Sequence, residues 1–395
     1  MSRLEGLSTW MTEVSNHMSH LSKTQATVLA LWSFSMVLTR KSSVSAATMM
    51  LSSLLGQSEN TVRQRLREWY WDAEDKKGAK RQEVKVESCF GPLLGWILAK
   101  WQGQQLALAL DATLLGDRLA VLAVSVLYRG CAIPVAWTVL VANKEHPWRK
   151  EWLRMLRLLQ RAVPEEMCVI VLSDRGISRP WLFRRICRLG WHPLLRITLC
   201  GTFRPQNQAT FKPLGSFVNQ AGQSWQGAGT LYKTNPLKCT LLCRWEVGYE
   251  QAWLLITDLP AQASQACWYG LRAWIEHGFK FIKSAGWQWH RTRMTDPQRA
   301  ARLWLVVALA TLWLLSVGGY AEETILLATF PDLIDCSPPP TKTRQVSIFQ
   351  RGWTLILAAL ITHSPVPLGY FVPEPWPEDP VLIDLSLVQL QQLVT

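Results

Sequence analysis

Between residues 21 and 71 the apolar side chains recur at helical intervals. Val28, Leu29, Leu31, Trp32, Met36 and Leu38 mark one helix, Ser42 and Ser43 can cap a second over residues 46–55, and Gly56 breaks it. Ser58 can cap a third, on which Asn60, Arg63, Arg67 and Trp71 fall on neighbouring turns of one face. This pattern fits a helical DNA-binding head with Arg63 and Arg67 on its contact face, and it equally fits an ordinary helical hairpin with a basic exposed stripe. From 72 to 87 the composition turns charged and Lys-rich, as in an exposed linker.

At residue 106 the texture changes. Apolar runs over 106–110, 119–128 and 132–141, with a turn at Arg129-Gly130, predict three consecutive strands. Residues 148–159 have helical spacing, 168–172 read as a short buried strand, 180–189 as a helix and 193–199 as another strand. The stretch 201–259 is rich in Gly, Gln, Thr and Pro, with strands expected near 241–247 and 252–257, so it reads as a β-rich insertion. A long helix is expected from Ala263 to about Lys283, another from Pro297, and a last one over 353–361, beyond the prolines 338–340. Residues 303–317 are apolar except for Thr311 and Ser316, but fifteen residues fall short of the roughly 20 that span a bilayer. A buried helix is expected there, and no membrane partner.

Charge narrows the partner. Lys and Arg number 42 against 29 Asp and Glu, a net +13, which favours a polyanion. The segment from Arg175 to Trp245 holds eleven Lys or Arg, among them Arg175 and Arg196, and no acid. A solvated face normally mixes signs, so a one-signed stretch of this length fits contact with phosphates. The nine scattered cysteines show no second close pair beside Cys239 and Cys243, which predicts reduced thiols, and the mixed-charge start lacks an apolar leader core. A cytoplasmic location is expected.

The candidate chemistry lies in the acids. Asp111 follows the strand 106–110, and Asp174 follows the strand 168–172 after Ser173. Carboxylates at the ends of adjacent buried strands can converge on one cation. Around Glu276, the residues Tyr269, Arg272, Glu276, Lys280 and Lys283 are spaced by three, four, four and three. On a helix they would share an arc of about 80°. Helix physics alone also allows a solvated face with an Arg272–Glu276 pair. Asp117 and Asp258 are the competing acids.

Tyr269-x2-Arg272-x3-Glu276-x6-Lys283 resembles the signature of DDE transposases of the insertion sequence four family. Asp111-Ala112-Thr113, Asp174-Arg175-Gly176, Arg196 and Thr257-Asp258-Leu259-Pro260 are similar to that family's other motifs. The resemblance covers about 106–315. It implies a ribonuclease H-like catalytic core with a β-rich insertion, so that with the helical N-terminal DNA-binding head read above the expected chain is α/β. The expected boundaries are 1–100 for the head and linker, 101–200 for the first part of the core, 201–259 for the insertion, 260–330 for the rest of the core and 331–395 for a helical and Pro-rich end. Strand transfer of this kind needs two divalent ions, and an all-oxygen site suits magnesium, so Asp111, Asp174 and Glu276 are expected to hold two Mg2+ ions, with Mn2+ able to substitute, Asp111 bridging them and Asp174 and Glu276 each holding one. Tyr269, Arg272 and Lys283 would contact phosphates, and Lys280 can join them. The partners implied are the terminal inverted repeats of an element and its target, both double-stranded DNA, held by a homodimer. A flipped base would stack on an aromatic such as Trp225 or Trp245. The rival functions are a DNA-binding protein without catalysis and a nuclease of the same fold that cuts without joining.

Overall fold

The computed structural model describes residues 5–76, 81–144, 148–329 and 344–378 of the 395. The expected prolines 338–340 and the tail beyond 378 lie outside the described residues. The chain divides into two compact units, 1–196 with 271–374, and 197–270 with 375–395.

The first unit opens with four helices, α1 Glu5–His17, α2 Lys23–Thr39, α3 Val44–Leu55 and α4 Glu59–Tyr70. Each of the last three begins at a serine, Ser22, Ser43 or Ser58, whose hydroxyl accepts a backbone N–H of the first turn. After α5, Phe90–Ala99, come the strands β1 Gln105–Leu115, β2 Leu119–Tyr128 and β3 Cys131–Val141. Helix α6 Trp148–Gln160, strand β4 Cys168–Ser173, helix α7 Pro180–Arg188 and strand β5 His192–Arg196 follow, the order predicted from the sequence. The sheet of this unit runs β3-β2-β1-β4-β5. Strands β1, β2 and β3 are antiparallel, while β4 and β5 continue parallel to β1. Arg129 and Gly130, with φ of 45° and 80°, make the two-residue turn between β2 and β3, the left-handed geometry that suits strand twist.

Helix α8, Ala273–Lys280, leads to α9, Pro297–Thr329, and α10, Ile348–Ile361. Helix α9 holds an apolar window long enough to cross a membrane, and that window is wholly buried inside the protein. Its partners explain the burial. Trp10 of α1 stacks on Trp313 at 4.1 Å, and Trp137 of β3 donates its indole N–H to the Ala301 carbonyl at 3.0 Å. The four N-terminal helices therefore share the core of this unit. Helices α9 and α10 meet through glycine, since a Cβ on Gly352 would stand 1.9 Å from the Leu314 carbonyl oxygen, and one on Gly318 would stand 1.9 Å from that of Ile348.

Two buried arginines tie distant segments together. Arg302 of α9, 3% exposed, bonds Asp72 at 2.7 Å and Glu83 at 2.9 Å, with the carbonyls of Tyr70 and Val84 beside them. The stretch expected as an exposed linker is thus anchored, because a buried guanidinium requires carboxylate partners. Arg129 pairs in the same way with Glu322 and Glu323 and donates to the Val372 carbonyl.

The second unit contains β6 Thr202–Pro205, β7 Lys212–Pro213, β8 Ser224–Leu231, β9 Leu237–Arg244 and β10 Trp253–Thr257, in the order β10-β9-β8-β6-β7 and antiparallel in the pairings β10/β9, β9/β8, β8/β6 and β6/β7. Its hydrophobic centre includes Phe203, Leu214, Leu231, Leu241 and Leu255.

Candidate active site

Strand register brings the first two acids together. Strand β1 continues past Asp111 to Leu115 instead of ending there, since Ala112 to Leu115 keep pairing with β2. On the other side β1 pairs with β4 up to Leu110 and Ser173, so Asp111 and Asp174 follow at one level on adjacent strands. Ser173 in turn pairs with Leu195, which puts Arg196 of β5 level with Asp174. Each aspartate has one oxygen held by backbone. Asp111 Oδ1 accepts from the Ala112 N–H at 2.8 Å, and Asp174 Oδ1 accepts from Gly176 at 3.0 Å and Ile177 at 3.2 Å. A Cβ at 176 would stand 3.4 Å from Asp174 Oδ1, an ordinary contact, so it is the backbone N–H and not the lack of a side chain that this position contributes.

Glu276 arrives on α8. The single long helix expected from Ala263 is broken into a 3-10 segment, Ala266–Arg272, the α-helix, and a π turn, Phe281–Ala285. Gly278 lets α8 approach the β2–β3 turn, where a Cβ would stand 2.9 Å from that of Ala132, and the ring of His277 lies 3.0 Å from the Gly130 carbonyl. Neither residue was singled out from the sequence. An isolated glycine inside a helical pattern is the signal that could have found Gly278.

Arg272 joins the three acids. Its Nη1 donates to Glu276 Oε1 at 2.7 Å, its Nη2 donates to Asp111 Oδ2 at 3.0 Å, and the same Nη2 lies 3.8 Å from Asp174 Oδ2. The i, i+4 pair that helix spacing allowed is therefore present, and it is part of a three-carboxylate cluster. The side chain of Asp111 is 14% exposed, against 40% for Asp174 and 60% for Glu276, so the site has a buried floor and an open rim. Burial pushes the Asp111 carboxyl above its ordinary range, the Arg272 guanidinium and the Ala112 N–H pull against this, and the other two acids add to the rise. The Lys283 ammonium is lowered by burial and favoured by the charge of Asp111. Among the described residues no group of three His, Cys, Asp or Glu side chains is drawn close enough to hold an ion as it stands.

The other candidates divide. Lys283, half-buried in the π turn, lies near enough to Asp111 for that charge to favour its ammonium, while Lys280 is exposed. Tyr269 belongs to the second unit, buried with its ring 5.2 Å from that of Trp253. Arg175 is exposed and Arg196 half-buried. On α4, Arg67 is exposed and Arg63 pairs with Glu59 at 3.2 Å. Asp117 is exposed in the turn after β1, and Asp258 lies in the second unit. Trp225 packs against Phe217 and Phe203, and Trp245 donates to the Tyr249 carbonyl.

Residues 134–313 match the family model of the transposase DDE domain. This supports a DDE transposase. Asp174 and Glu276 lie inside the matched span, and Asp111 lies before it, on the strand that pairs with β4. The cryo-EM structure of a piggyBac transposase synaptic complex with hairpin DNA is similar at a TM-score of 0.43 and 10% identity, over 99% of this chain and 84% of that one. No curated protein matches the chain.

One consequence is thermal. Because the ionised Asp111 is disfavoured in the folded protein, its raised carboxyl removes stability as pH rises through its folded value and restores it as pH falls. Asp111→Asn is therefore expected to melt above the unsubstituted protein near neutral pH, with the difference narrowing as the solution is acidified. Melting curves across pH check this, and a variant that melts lower at neutral pH contradicts it.

Proposed function

We propose that this DNA transposase belongs to a bacterial insertion sequence of the four family, with a ribonuclease H-like core spanning 101–200 and 260–330. The region 1–100 would serve as DNA-binding head and 201–259 as insertion. The reading rests on one observation above all: Asp111, Asp174 and Glu276, far apart in sequence, meet on a single guanidinium. The strand order β3-β2-β1-β4-β5 supports the core assignment.

Three carboxylates form an all-oxygen donor set, which suits Mg2+ and admits Mn2+. Asp111, Asp174 and Glu276 would hold two such ions, which when bound activate the attacking oxygen and stabilise the leaving one. The chain supplies the rest. Asp111, paired with β2 just past the end of the β1–β4 pairing, sets the floor of the site, and the N–H groups of Gly176 and Ile177 aim Asp174. Lys283 and Arg196 add positive charge beside the acids for a phosphate to approach. Water would attack a phosphodiester at the element end, breaking its P–O3′ bond, and the freed 3′-hydroxyl would then attack a phosphodiester of the opposite strand or the target, displacing that strand's own 3′-oxygen. A homodimer would hold two ends, and the protein would act in the cytoplasm.

The test uses purified protein, Mg2+ and a duplex copied from the DNA bordering the gene, where inverted repeats are sought. Cleavage at the repeat followed by strand joining is the expected result. Binding without cleavage would leave a DNA-binding protein, and cleavage without joining a nuclease.

A further inference from the structure

Most of the oxygens that a cation would need already face a partner. Asp111 Oδ1 and Asp174 Oδ1 face backbone N–H groups, which leaves Oδ2 of each, and both of these face one atom, Nη2 of Arg272, at 3.0 and 3.8 Å. The remaining arm of the same guanidinium holds Glu276 at 2.7 Å. Carboxylates gathered on a floor as buried as Asp111 need a compensating cation, or folding is penalised. Here the chain provides it.

We propose that Arg272 is the internal counter-ion of the metal-free site, and that a divalent cation binds by displacing its guanidinium from Asp111 and Asp174, which frees it for a DNA phosphate. The inference rests on reading Asp111, Asp174 and Glu276 as metal ligands. A guanidinium cannot lose its charge to make way, so the exchange is a movement of the side chain rather than a deprotonation. Its planar fork suits a phosphate as well as it suits carboxylates, so the displaced group has a second partner of the same charge. Metal loading and Arg272's release to DNA become one coupled event, and a protein without DNA holds its ions less tightly than its three acids would allow. Lys283 does not fill this role: it senses the charge of Asp111, but no hydrogen bond or ion pair joins the two among the described contacts.

The experiment is a Mn2+ titration of the full chain without DNA, with free ion followed by electron paramagnetic resonance. Arg272→Gln is expected to bind Mn2+ roughly tenfold more tightly than the unsubstituted protein, within the usual range of coupling between two ligands. Lys283→Gln removes one nearby positive charge without removing an ion pair to the acids, so its smaller gain measures the purely coulombic effect. Equal gains in the two variants, or no gain for Arg272→Gln, overturn the displacement. Glu276→Gln separates the two readings: if it weakens Mn2+ binding while Arg272→Gln strengthens nothing, only the displacement falls, and if it changes nothing, the metal site falls with it. Should Arg272→Gln not fold, Arg272→Lys, which keeps the charge but not the fork, is expected to give an intermediate gain, and an affinity no higher than that of the unsubstituted protein overturns the proposal.

Discussion

Glu276→Gln is expected to slow cleavage of an end-bearing duplex by roughly a thousandfold or more, since losing even one electrostatic contact to the developing charge costs on the order of 10² to 10³. The substitution keeps the size and shape of the side chain and removes only its charge. Duplex affinity is expected to stay within a factor of a few, because Glu276 is an acid on an open rim and contributes no attraction to phosphate. A single-turnover cleavage assay beside a binding titration reads both quantities. Cleavage within about tenfold of normal would take Glu276 out of the chemistry and leave the Arg272 pair as an ordinary helix-surface contact.

The second large effect concerns folding. At the crossing of α9 and α10 there is no room for a methyl group: the atom met at 1.9 Å from a Cβ on Gly352 is a backbone oxygen, which cannot swing aside as a flexible side chain can. Gly352→Ala must therefore push two long helices apart and strand the packing around Gly318. A loss of about 3 kcal/mol is expected, the upper part of the range for overpacked cores. Gly95→Ala gives the contrast. Gly95 sits within α5 with nothing inside 4 Å of its would-be Cβ, so the same change there is expected to add about 0.5–1 kcal/mol by helix propensity. Denaturant melts of the two variants decide it, and a Gly352→Ala protein as stable as the parent would refute the tight crossing.

Much of the framework was legible in the residue pattern because its causes are local. Continuous apolar runs gave the strands around Asp111 and Asp174, the serines marked the starts of α3 and α4, and Arg129-Gly130 marked a turn. What escaped was non-local. Nothing near Asp72 or Glu83 announces that Arg302, more than two hundred residues away, will bury its charge against them. The continuation of β1 beyond Asp111 depends on pairing with β2, which the polar residues at 111 and 113 obscured. In the site, spacing alone allowed the Arg272–Glu276 pair but could not show that the same guanidinium also reaches two aspartates, because that follows from the register of β1 with β4.

The helix that carries Glu276 passes directly into a π turn, whereas Asp111 is locked into a strand paired on both sides. A π turn accommodates one residue more than an α turn, so a single deletion between Lys283 and Gly286 can be absorbed by reverting to an α turn. The same change within β1 would swing Asp111 to the opposite face of the sheet. Descendants of this chain can thus lose a residue on one side of the site and are held to a fixed count on the other.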